Sequence, residues 1–479
     1  MSKAGVARCT ITPPTGMTMA GYGARDGKAE DKDSELYATA LVLDDDSTRI
    51  AIITFDLIFI EEPFVSSLRE KIGKRIGVPK QNVLLNCSHT HCGPTSKGLR
   101  YDDDEFQDQL RNAYVTRLET EIPALVDLAA HHLRPARVGT DVGEARIGIN
   151  RREVQSDGSV LLGENPTGPV DHQVRVIRVD DLEGRPIAVV FAHGCHPVTM
   201  GPKCLKWSAD LVGPARELIE QTVGCLSLFL QANAGDINPI SGIGAAEDNS
   251  DEKKRLGCTL GAEVLKVHSS IYTESIRGPR IYTGSLSKIP YYPRTPLNGG
   301  SEFTIRVKEE MLELNFQKFP TVDEAKRILE GWESEIADLD RKHVRGAPMN
   351  VARLFRHWAL ILVDYVANAR KPVTQIPVQA IKLGDIGIVA VPGETFSAQG
   401  MEVKRRSPFP HTLFLGYTNG CISYIPTRDA YPPRGWSVTE RYYVPEMIFQ
   451  AFPIPTALAV DSGERIVSKS LDLLLQVQG

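Results

Sequence analysis

The stretch Ser88-His89-Thr90-His91-Cys92-Gly93-Pro94 directly follows the apolar run Val83-Leu84-Leu85-Asn86. The apolar run predicts a buried strand, and Gly93-Pro94 predicts the turn at which that strand breaks. In extended backbone, residues i and i+2 point to the same side, so His89 and His91 can both face one cleft at the strand's carboxyl end. This layout suits a metal ligand with a helper beside it, whereas an isolated His-x-His is more often a pair of hydrogen-bonded loop histidines.

Three further apolar runs end in polar motifs. Ile187–Ala192 leads to His193 and His196, Leu226–Leu230 leads to Asp236 and Asn238, and Ile386–Val391 leads to Glu394. Each motif alone is weak evidence, since Pro-Gly-Glu is typical of a turn that starts a helix with an acidic residue. Their recurrence is a stronger signal, because open α/β sheets bind ligands at the carboxyl ends of their strands.

Composition limits the classes of function. The chain has 479 residues, of which 42% are hydrophobic and 24% charged, and its net charge is -5. Without a long basic run it offers no electrostatic footprint for nucleic acid, so a small-molecule substrate is expected. No apolar stretch approaches the roughly 20 residues that span a bilayer, and the N-terminus lacks a signal-peptide pattern. We therefore predict a cytoplasmic protein without a membrane span; the sequence leaves open whether it forms a homo-oligomer.

Strand and helix patterns alternate along the chain. Strands are predicted at 36–43, 49–55, 372–381 and 386–391, and helices at 62–76, 105–130, 209–223, 250–272, 322–345 and 351–369. This alternation predicts an α/β fold with mixed β-sheets flanked by helices. We interpret residues 1–479 as a single domain in which 301–371 is a helical insertion that could act as a lid.

Several motifs, in order along nearly the whole chain, resemble those of one family. They are AGVARCTITPP (residues 4–14), MAGYG (19–23), SHTHCGP (88–94), INRR (149–152), HPVTMG (196–201), SAD (208–210), QANAGDINP (231–239) and VPGE (391–394). Together they resemble the catalytic domain of the neutral/alkaline non-lysosomal ceramidases, and the fold of that domain is expected here.

The resemblance implies a zinc-dependent amidase whose metal is held by two histidines, a glutamate and a tyrosine. Carried over position by position, the ligands are His89, His196, Glu394 and Tyr424. Tyr424 lies in a segment similar to the family's Asn-x-Tyr-x-x-Tyr, although Cys421 replaces the first tyrosine. A nitrogen-and-oxygen set with an open position is what catalytic zinc requires.

The resemblance also assigns His91 and Arg151 to substrate contacts beside the metal. His91 could shuttle a proton to the leaving group, and Arg151 could hold or polarise an oxygen-bearing group. The alternative for a loop arginine is to be solvated or to pair with a carboxylate.

Asn238 marks the main departure from the family, which has an essential serine at this position. Without that hydroxyl, the attacking group is expected to be water activated by the metal. Asp236 could orient this water or act as general base, or it could cap the turn through backbone amides. The chain also ends soon after a helix-like segment at 464–475, so we expect it to lack the immunoglobulin-like C-terminal domain of ceramidases.

Three functions are compatible with these residues. The favoured one is a zinc-dependent hydrolase that uses metal-activated water on an amide (N-acyl) or related bond of a small soluble metabolite. The same ligands could support metal-assisted cleavage of a sugar-derived bond or a lactone, since fold does not fix reaction. The third is a non-catalytic, metal-stabilised binding protein, which the retention of all four ligands, His91 and Arg151 argues against.

Overall fold

The computed structural model describes the chain except Ala24, Ser285 and residues 96–103, 157–158, 297–302 and 432–448. The helices of the described residues are α1 (Phe64–Ile76), α2 (Glu105–His131), α3 (Val212–Val223), α4 (Ser250–Ser270), α5 (Val322–Arg341), α6 (Ala347–Ala367), α7 (Ser397–Arg406) and α8 (Ser462–Gln478). None of these helices is long and apolar enough to cross a membrane.

The strands of the same residues fall into several sheets. They are β1 (Lys3–Thr10), β2 (Asp31–Lys32), β3 (Tyr37–Asp44), β4 (Arg49–Phe55), β5 (Val83–Cys87), β6 (Arg134–Glu144), β7 (Gly148–Val154), β8 (Val160–Asn165), β9 (Gln173–Asp181), β10 (Pro186–His193), β11 (Lys206–Trp207), β12 (Leu226–Gln231), β13 (Ile237–Pro239), β14 (Ser275–Arg277), β15 (Ile281–Thr283), β16 (Ile289–Tyr291), β17 (Arg294–Pro296), β18 (Ile305–Asn315), β19 (Val373–Leu383), β20 (Ile386–Ala390), β21 (Glu394–Thr395), β22 (His411–Leu415) and β23 (Tyr424–Ile425).

Two mixed sheets form the body of the fold. The larger has the order β12-β10-β9-β6-β1-β3-β4-β5, and the smaller has the order β18-β19-β20-β22. Three neighbouring pairs run parallel, namely β4 with β5, β10 with β12, and β20 with β22. A helix (α1, α3 or α7) connects the two strands of each pair. Because the two strands are parallel neighbours, their carboxyl ends lie at the same edge of the sheet.

The two sheets pack face to face. Along β3, Ala40 and Val42 belong to the cluster under α1 and α2, whereas Leu41 and Leu43 share a cluster with Ile381 of the smaller sheet. This two-residue alternation is that of a strand buried on both faces. Helices α3 and α4 cover the rest of the larger sheet, and α6 and α8 cover the smaller one. The resulting layers of helices, sheet, sheet and helices confirm the predicted α/β class.

Local sequence signals explain where several helices begin and end. α1 ends at Gly77 and α3 at Gly224, which adopt φ angles of 71° and 79° that favour glycine. α5 begins with a capping box, in which Thr321 accepts from the backbone N–H of Glu324 and the Glu324 side chain accepts from that of Thr321.

Asn86 ties three strand ends together at the edge where the polar motifs lie. From β5, its Nδ2 donates to the carbonyl oxygens of Gln231 at 3.2 Å and Gly416 at 3.1 Å, which lie at the ends of β12 and β22. It also donates to the Thr418 hydroxyl at 2.8 Å. Since Asn86 is fully buried, these bonds fix the position of the segments that follow the strands.

The helical insertion predicted at 301–371 contains a strand as well as helices. Residues 301 and 302 lie outside the described residues, and Ile305–Asn315 forms β18, which pairs antiparallel with β19 along its full length. The charged residues of this strand concealed its pattern, because only one of its faces is buried against apolar neighbours. The two helices predicted next are present as α5 and α6, and α6 begins four residues before the predicted start at residue 351.

Candidate metal centre

His89 and His196 approach each other from the ends of two different strands. His89 follows β5 and His196 follows β10, and their Nε2 atoms are 3.2 Å apart. The Nδ1 of His89 lies 2.8 Å from the carbonyl oxygen of Ile58, and the Nδ1 of His196 lies 2.6 Å from that of Ala234. A carbonyl oxygen only accepts, so Nδ1 carries a proton in both rings and Nε2 is the nitrogen that each ring turns toward the other.

Glu394 completes a triangle with these two nitrogens. Its Oε2 is 3.4 Å from His89 Nε2 and 3.3 Å from His196 Nε2, and all three side chains are buried. Burial acts to raise the pKa of Glu394, but attraction and hydrogen bonding by the two imidazoles outweigh it and hold that pKa well below its usual range. Burial and the charge of Arg151 lower the pKa of His196 to about 4. At neutral pH the triangle therefore contains a carboxylate and a neutral His196.

This donor set fits a bound cation. Two imidazole nitrogens and a carboxylate oxygen that converge in a buried space are stabilised by positive charge between them, carried either by a proton on an imidazole or by a bound cation. Ligands about 2.0–2.1 Å from a tetrahedral zinc are separated by roughly 3.3–3.4 Å, and the three separations here are 3.2, 3.3 and 3.4 Å. Nitrogen and oxygen donors in this arrangement are those that zinc accepts.

His91 lies beside the triangle. Its Nε2 is 3.3 Å from His89 Nε2, and ring nitrogens of His89, His91 and His196 lie within 4.8 Å of one another. Its Nδ1 is buried and has no hydrogen-bond partner in the described structure. Burial, together with repulsion from the other two imidazoles, lowers the pKa of His91 well below its ordinary value. His91 is therefore neutral at pH 7, with one ring nitrogen unengaged.

Arg151 connects the triangle to two other predicted site residues. From β7, its Nη1 lies 3.5 Å from His196 Nε2 and donates to Asn238 Oδ1 at 3.2 Å, and its Nη2 donates to the Tyr424 hydroxyl at 3.1 Å. β7 pairs with β13, which carries Asn238. β21, which carries Glu394, pairs with β23, which carries Tyr424. Burial and the Glu394 carboxylate raise the pKa of Tyr424, so its phenol is protonated at neutral pH.

Asp236 points toward a helix end. Its Oδ1 accepts from the backbone N–H of Ser397 at 2.8 Å, in the first turn of α7, and its Oδ2 accepts from Asn150 Nδ2 at 2.9 Å. Burial raises the pKa of Asp236 to about 6. With these bonds Asp236 caps the start of α7 and holds Asn150, the neighbour of Arg151. They explain its burial without catalysis, so the role of Asp236 as a base stays a prediction.

Tyr417 is a site residue that the sequence analysis missed. Its hydroxyl donates to Glu394 Oε2 at 3.2 Å, and its ring lies 4.3 Å from the His89 ring, centroid to centroid. It follows β22, a buried strand, so the rule that identified the other motifs could have found it. His89 and Tyr417 adopt positive φ angles of 67° and 52°, a strained conformation that is concentrated at functional sites.

The helical hairpin α5–α6 lies beside this cluster. Asn350 of α6 donates to the carbonyl oxygen of Arg25 at 2.9 Å, and Arg25 Nη2 donates to that of His91 at 2.8 Å. Arg25 thus links the hairpin to the loop that carries His89 and His91. This position is compatible with the predicted lid, which stays a prediction.

Known proteins resemble the chain along most of its length. The neutral ceramidase of Pseudomonas aeruginosa is 23% identical over 480 residues, covering 92% of this chain and 69% of that protein. That of Mycobacterium tuberculosis is 23% identical over 459 residues, covering 86% of this chain and 69% of that protein. The crystal structure of the Pseudomonas aeruginosa enzyme superposes with a TM-score of 0.66 at 17% identity, covering all of this chain and 74% of that one. At this identity the likeness establishes the fold.

A family model described as neutral/alkaline non-lysosomal ceramidase, N-terminal, matches residues 3–268, which is more than half of the chain. The fold of a solved ceramidase agrees with that match. The chain therefore belongs to the neutral/alkaline non-lysosomal ceramidase family.

Proposed function

We propose that the protein is a zinc-dependent hydrolase that cleaves the amide bond of a small, soluble N-acyl metabolite. The observation that carries this proposal is the triangle of His89, His196 and Glu394, whose donor atoms are 3.2–3.4 Å apart and whose imidazoles have their Nδ1 protons directed at carbonyl oxygens. Membership of a family whose named relatives are ceramidases, which are amide hydrolases, supports the choice of bond.

His89, His196 and Glu394 would hold the metal, with Tyr424 as the fourth ligand. Tyr424 is the weakest of the four, because its phenol is protonated in the metal-free protein and must lose its proton to bind strongly. The Arg151 cation, hydrogen-bonded to that phenol, favours this loss. Zinc held there would supply Lewis-acid chemistry, which lowers the pKa of water toward 7 and polarises a carbonyl.

Arg151 provides the fixed positive charge of the site. Its guanidinium is buried, with only 5% of the residue exposed, and its two terminal nitrogens point to Asn238, His196 and Tyr424. Negative charge that develops on a carbonyl oxygen during amide hydrolysis would be stabilised by this cation, at low cost because the cation is already oriented.

His91 is suited to proton transfer. Amide hydrolysis requires a proton for the leaving nitrogen, and a neutral imidazole can accept one from water and pass it on. Its buried Nδ1 has no hydrogen-bond partner in the described structure, so protonation there breaks no existing bond.

Asn238 is the residue that we expect to give this protein a different substrate from that of the ceramidases. Its amide oxygen accepts a hydrogen bond from Arg151 at 3.2 Å. The side chain has no hydroxyl, so it can neither attack nor donate a proton in the way the family's serine does. Long-chain ceramide is therefore proposed to be a poor substrate compared with a smaller N-acyl amide.

A substrate screen with metal control tests this function. Purified protein is stripped with chelator, reloaded with zinc, and assayed against panels of N-acyl amides, esters, lactones and glycosides. The expected result is zinc-dependent turnover of one class of N-acyl amide. Turnover restricted to lactones or glycosides would replace the proposed reaction, and absence of all turnover with zinc bound would favour the non-catalytic alternative.

A further inference from the structure

A two-stranded ribbon, residues 275–296, leaves the body of the protein after α4. We call it the arm. At its base Ser275, Ile276 and Arg277 pair with Pro296, Thr295 and Arg294, and toward its tip Ile281–Thr283 pairs with Ile289–Tyr291. Neither pair of strands joins another sheet. A hairpin of two strands is marginally stable alone in water.

The arm exposes an unusual amount of apolar surface. It contains 22 of the 479 residues, yet seven of the twenty large hydrophobic side chains exposed in the described structure are on it. These seven are Ile276, Ile281, Tyr282, Leu286, Ile289, Tyr291 and Tyr292. Leu286, near the tip, is 101% exposed, and Ile276 is 60% exposed. Apolar patches of this kind mark surfaces that another molecule covers.

The arm is also strongly basic. It carries Arg277, Arg280, Lys288 and Arg294 and no acidic residue, in a chain whose net charge is -5, so the remainder of the chain carries -9. The three guanidinium groups lie over tyrosine rings, and in the described structure none of the four cations is paired with a carboxylate. Arg277 and Arg294 even face each other across the ribbon, an unfavourable like-charge pair. The four positive charges of the arm therefore have no anionic partner within the described structure.

A cleft with complementary chemistry lies at the base of the arm. It has a volume of about 430 Å³ and is lined by apolar side chains such as Val138, Phe303 and Leu383 and by the carboxylates of Asp141 and Asp385. Asp385 is exposed and forms no ion pair in the described structure. Tyr272 and Arg294 contribute to the same wall. Cleft and arm are thus adjacent on one surface.

The position of the arm disfavours a lipid surface as its partner. The cleft contains Ile386 and His411, the first residues of β20 and β22, whereas Glu394 follows the opposite end of β20. The five residues of β20 span roughly 15 Å. The base of the arm and the triangle of His89, His196 and Glu394 therefore lie at opposite ends of this strand, so a membrane that binds the arm would not face the triangle.

We propose that a second copy of this chain covers the arm. In a twofold dimer each arm would lie in the cleft at the base of the other, with the basic side chains near Asp141 and Asp385 and the apolar tip against the half-buried Val138. Because the arm and the cleft lie side by side, one twofold axis satisfies both copies, as in an isologous interface. The remaining charge of -9 on each partner favours the approach of the basic arm.

Molecular mass in solution tests the dimer. We expect light scattering coupled to size-exclusion chromatography to give twice the 52.7 kDa of one chain. Replacement of residues 279–292 by an Asn-Gly turn, or the double substitution Leu286→Asp and Ile289→Asp, should weaken dimerisation at least a hundredfold. Leu128→Asp, which alters a side chain 49% exposed on α2, serves as control and should leave the dimer intact. A wild-type monomer at micromolar concentrations, or an arm-truncated dimer, would overturn the proposal.

Charge exchange tests the cleft. Asp385→Lys and Lys288→Glu should each reduce the dimer fraction, and the two together should restore much of it. If Asp141→Lys and Asp385→Lys together leave dimerisation unchanged, the cleft is not the receptor and the proposed arrangement fails. Binding to vesicles of phosphatidylcholine and phosphatidylserine tests the alternative of a lipid partner. If monomeric protein binds these vesicles and the arm-truncated variant does not, the dimer is refuted and the arm is a membrane-binding element.

Discussion

Tyr417 contacts both Glu394 and His89, two of the three side chains in the triangle of His89, His196 and Glu394. Its hydroxyl donates to Glu394 Oε2 at 3.2 Å while its ring packs on His89 with 4.3 Å between centroids. The residue is fully buried and has a positive φ angle of 52°. Because a hydrogen bond to one carboxylate oxygen orients the whole group, Tyr417 would act on a bound metal through Glu394 rather than by contact with it.

Tyr417→Phe should therefore weaken zinc binding while the fold persists. The substitution removes the hydrogen bond and keeps the ring on His89, and loss of such a supporting bond typically lowers metal affinity about 10- to 100-fold. Competition with a fluorescent chelator measures this affinity. Tyr431→Phe is the matched control, since that buried hydroxyl donates at 3.1 Å to the carbonyl oxygen of Leu458, outside the triangle. Equal zinc affinity in both variants would contradict the role of Tyr417.

His89 and His196 should each be required for metal and activity together. His89→Ala or His196→Ala removes one of two nitrogen donors 3.2 Å apart, and the remaining donors should not retain zinc through gel filtration. Metal content by mass spectrometry and hydrolysis of the best substrate are the two readouts. His193→Gln alters a buried histidine whose Nδ1 lies 3.0 Å from the carbonyl oxygen of Gln173, and it should keep zinc. Full zinc occupancy in the double alanine variant would refute the assignment.

The sequence predicted which side chains lie together better than it predicted their surroundings. His89, His196 and Glu394 come after buried strands whose ends share an edge, so the strand-end pattern placed them near one another, and their role as metal ligands stays a prediction. The contacts among Arg151, Asn238 and Tyr424 depend on the pairings of β7 with β13 and of β21 with β23. β13, β21 and β23 have only two or three residues, too few for a pattern to be visible.

Two long strands that the sequence missed share a different property. β18 is rich in charged residues, and in β6 only Ala136 and Arg137 are buried. Their stability comes from long ladders with β19 and β9 rather than from their own hydrophobicity. Tertiary pairing of this kind outweighs local propensity, so sequence periodicity alone could not reveal it.

Acid should destabilise the metal-free protein in a defined window. The pKa of His196 is lowered from 6.5 to about 4, first by burial and then by Arg151, so the unfolded chain binds a proton that the folded chain excludes between these values. Stability should thus be full above pH 6.5 and fall by about 3 kcal/mol as the pH drops to 4. Urea unfolding of chelator-treated protein measures this loss. His196→Gln cannot titrate and should show a correspondingly smaller loss.

Asp236→Asn distinguishes a structural role from a catalytic one. The carboxylate accepts from Ser397 N–H and from Asn150, so we expect the variant to have a lower melting temperature, with activity reduced less than about tenfold and zinc retained. A loss of turnover of about a hundredfold at unchanged melting temperature would instead identify Asp236 as the base.

Asn238→Ser should move the activity toward that of the family. Asn238 Oδ1 accepts from Arg151 at 3.2 Å, and serine would place at this position the hydroxyl that neutral ceramidases carry. If the missing hydroxyl limits ceramide turnover, the variant should hydrolyse a short-chain ceramide at least about tenfold faster than the wild type, a modest fraction of what a positioned proton-transfer group contributes. Asn238→Ala removes the amide without adding a hydroxyl and should show no such gain. Wild-type turnover of ceramide equal to that of the best small amide would mean that Asn238 does not exclude ceramide.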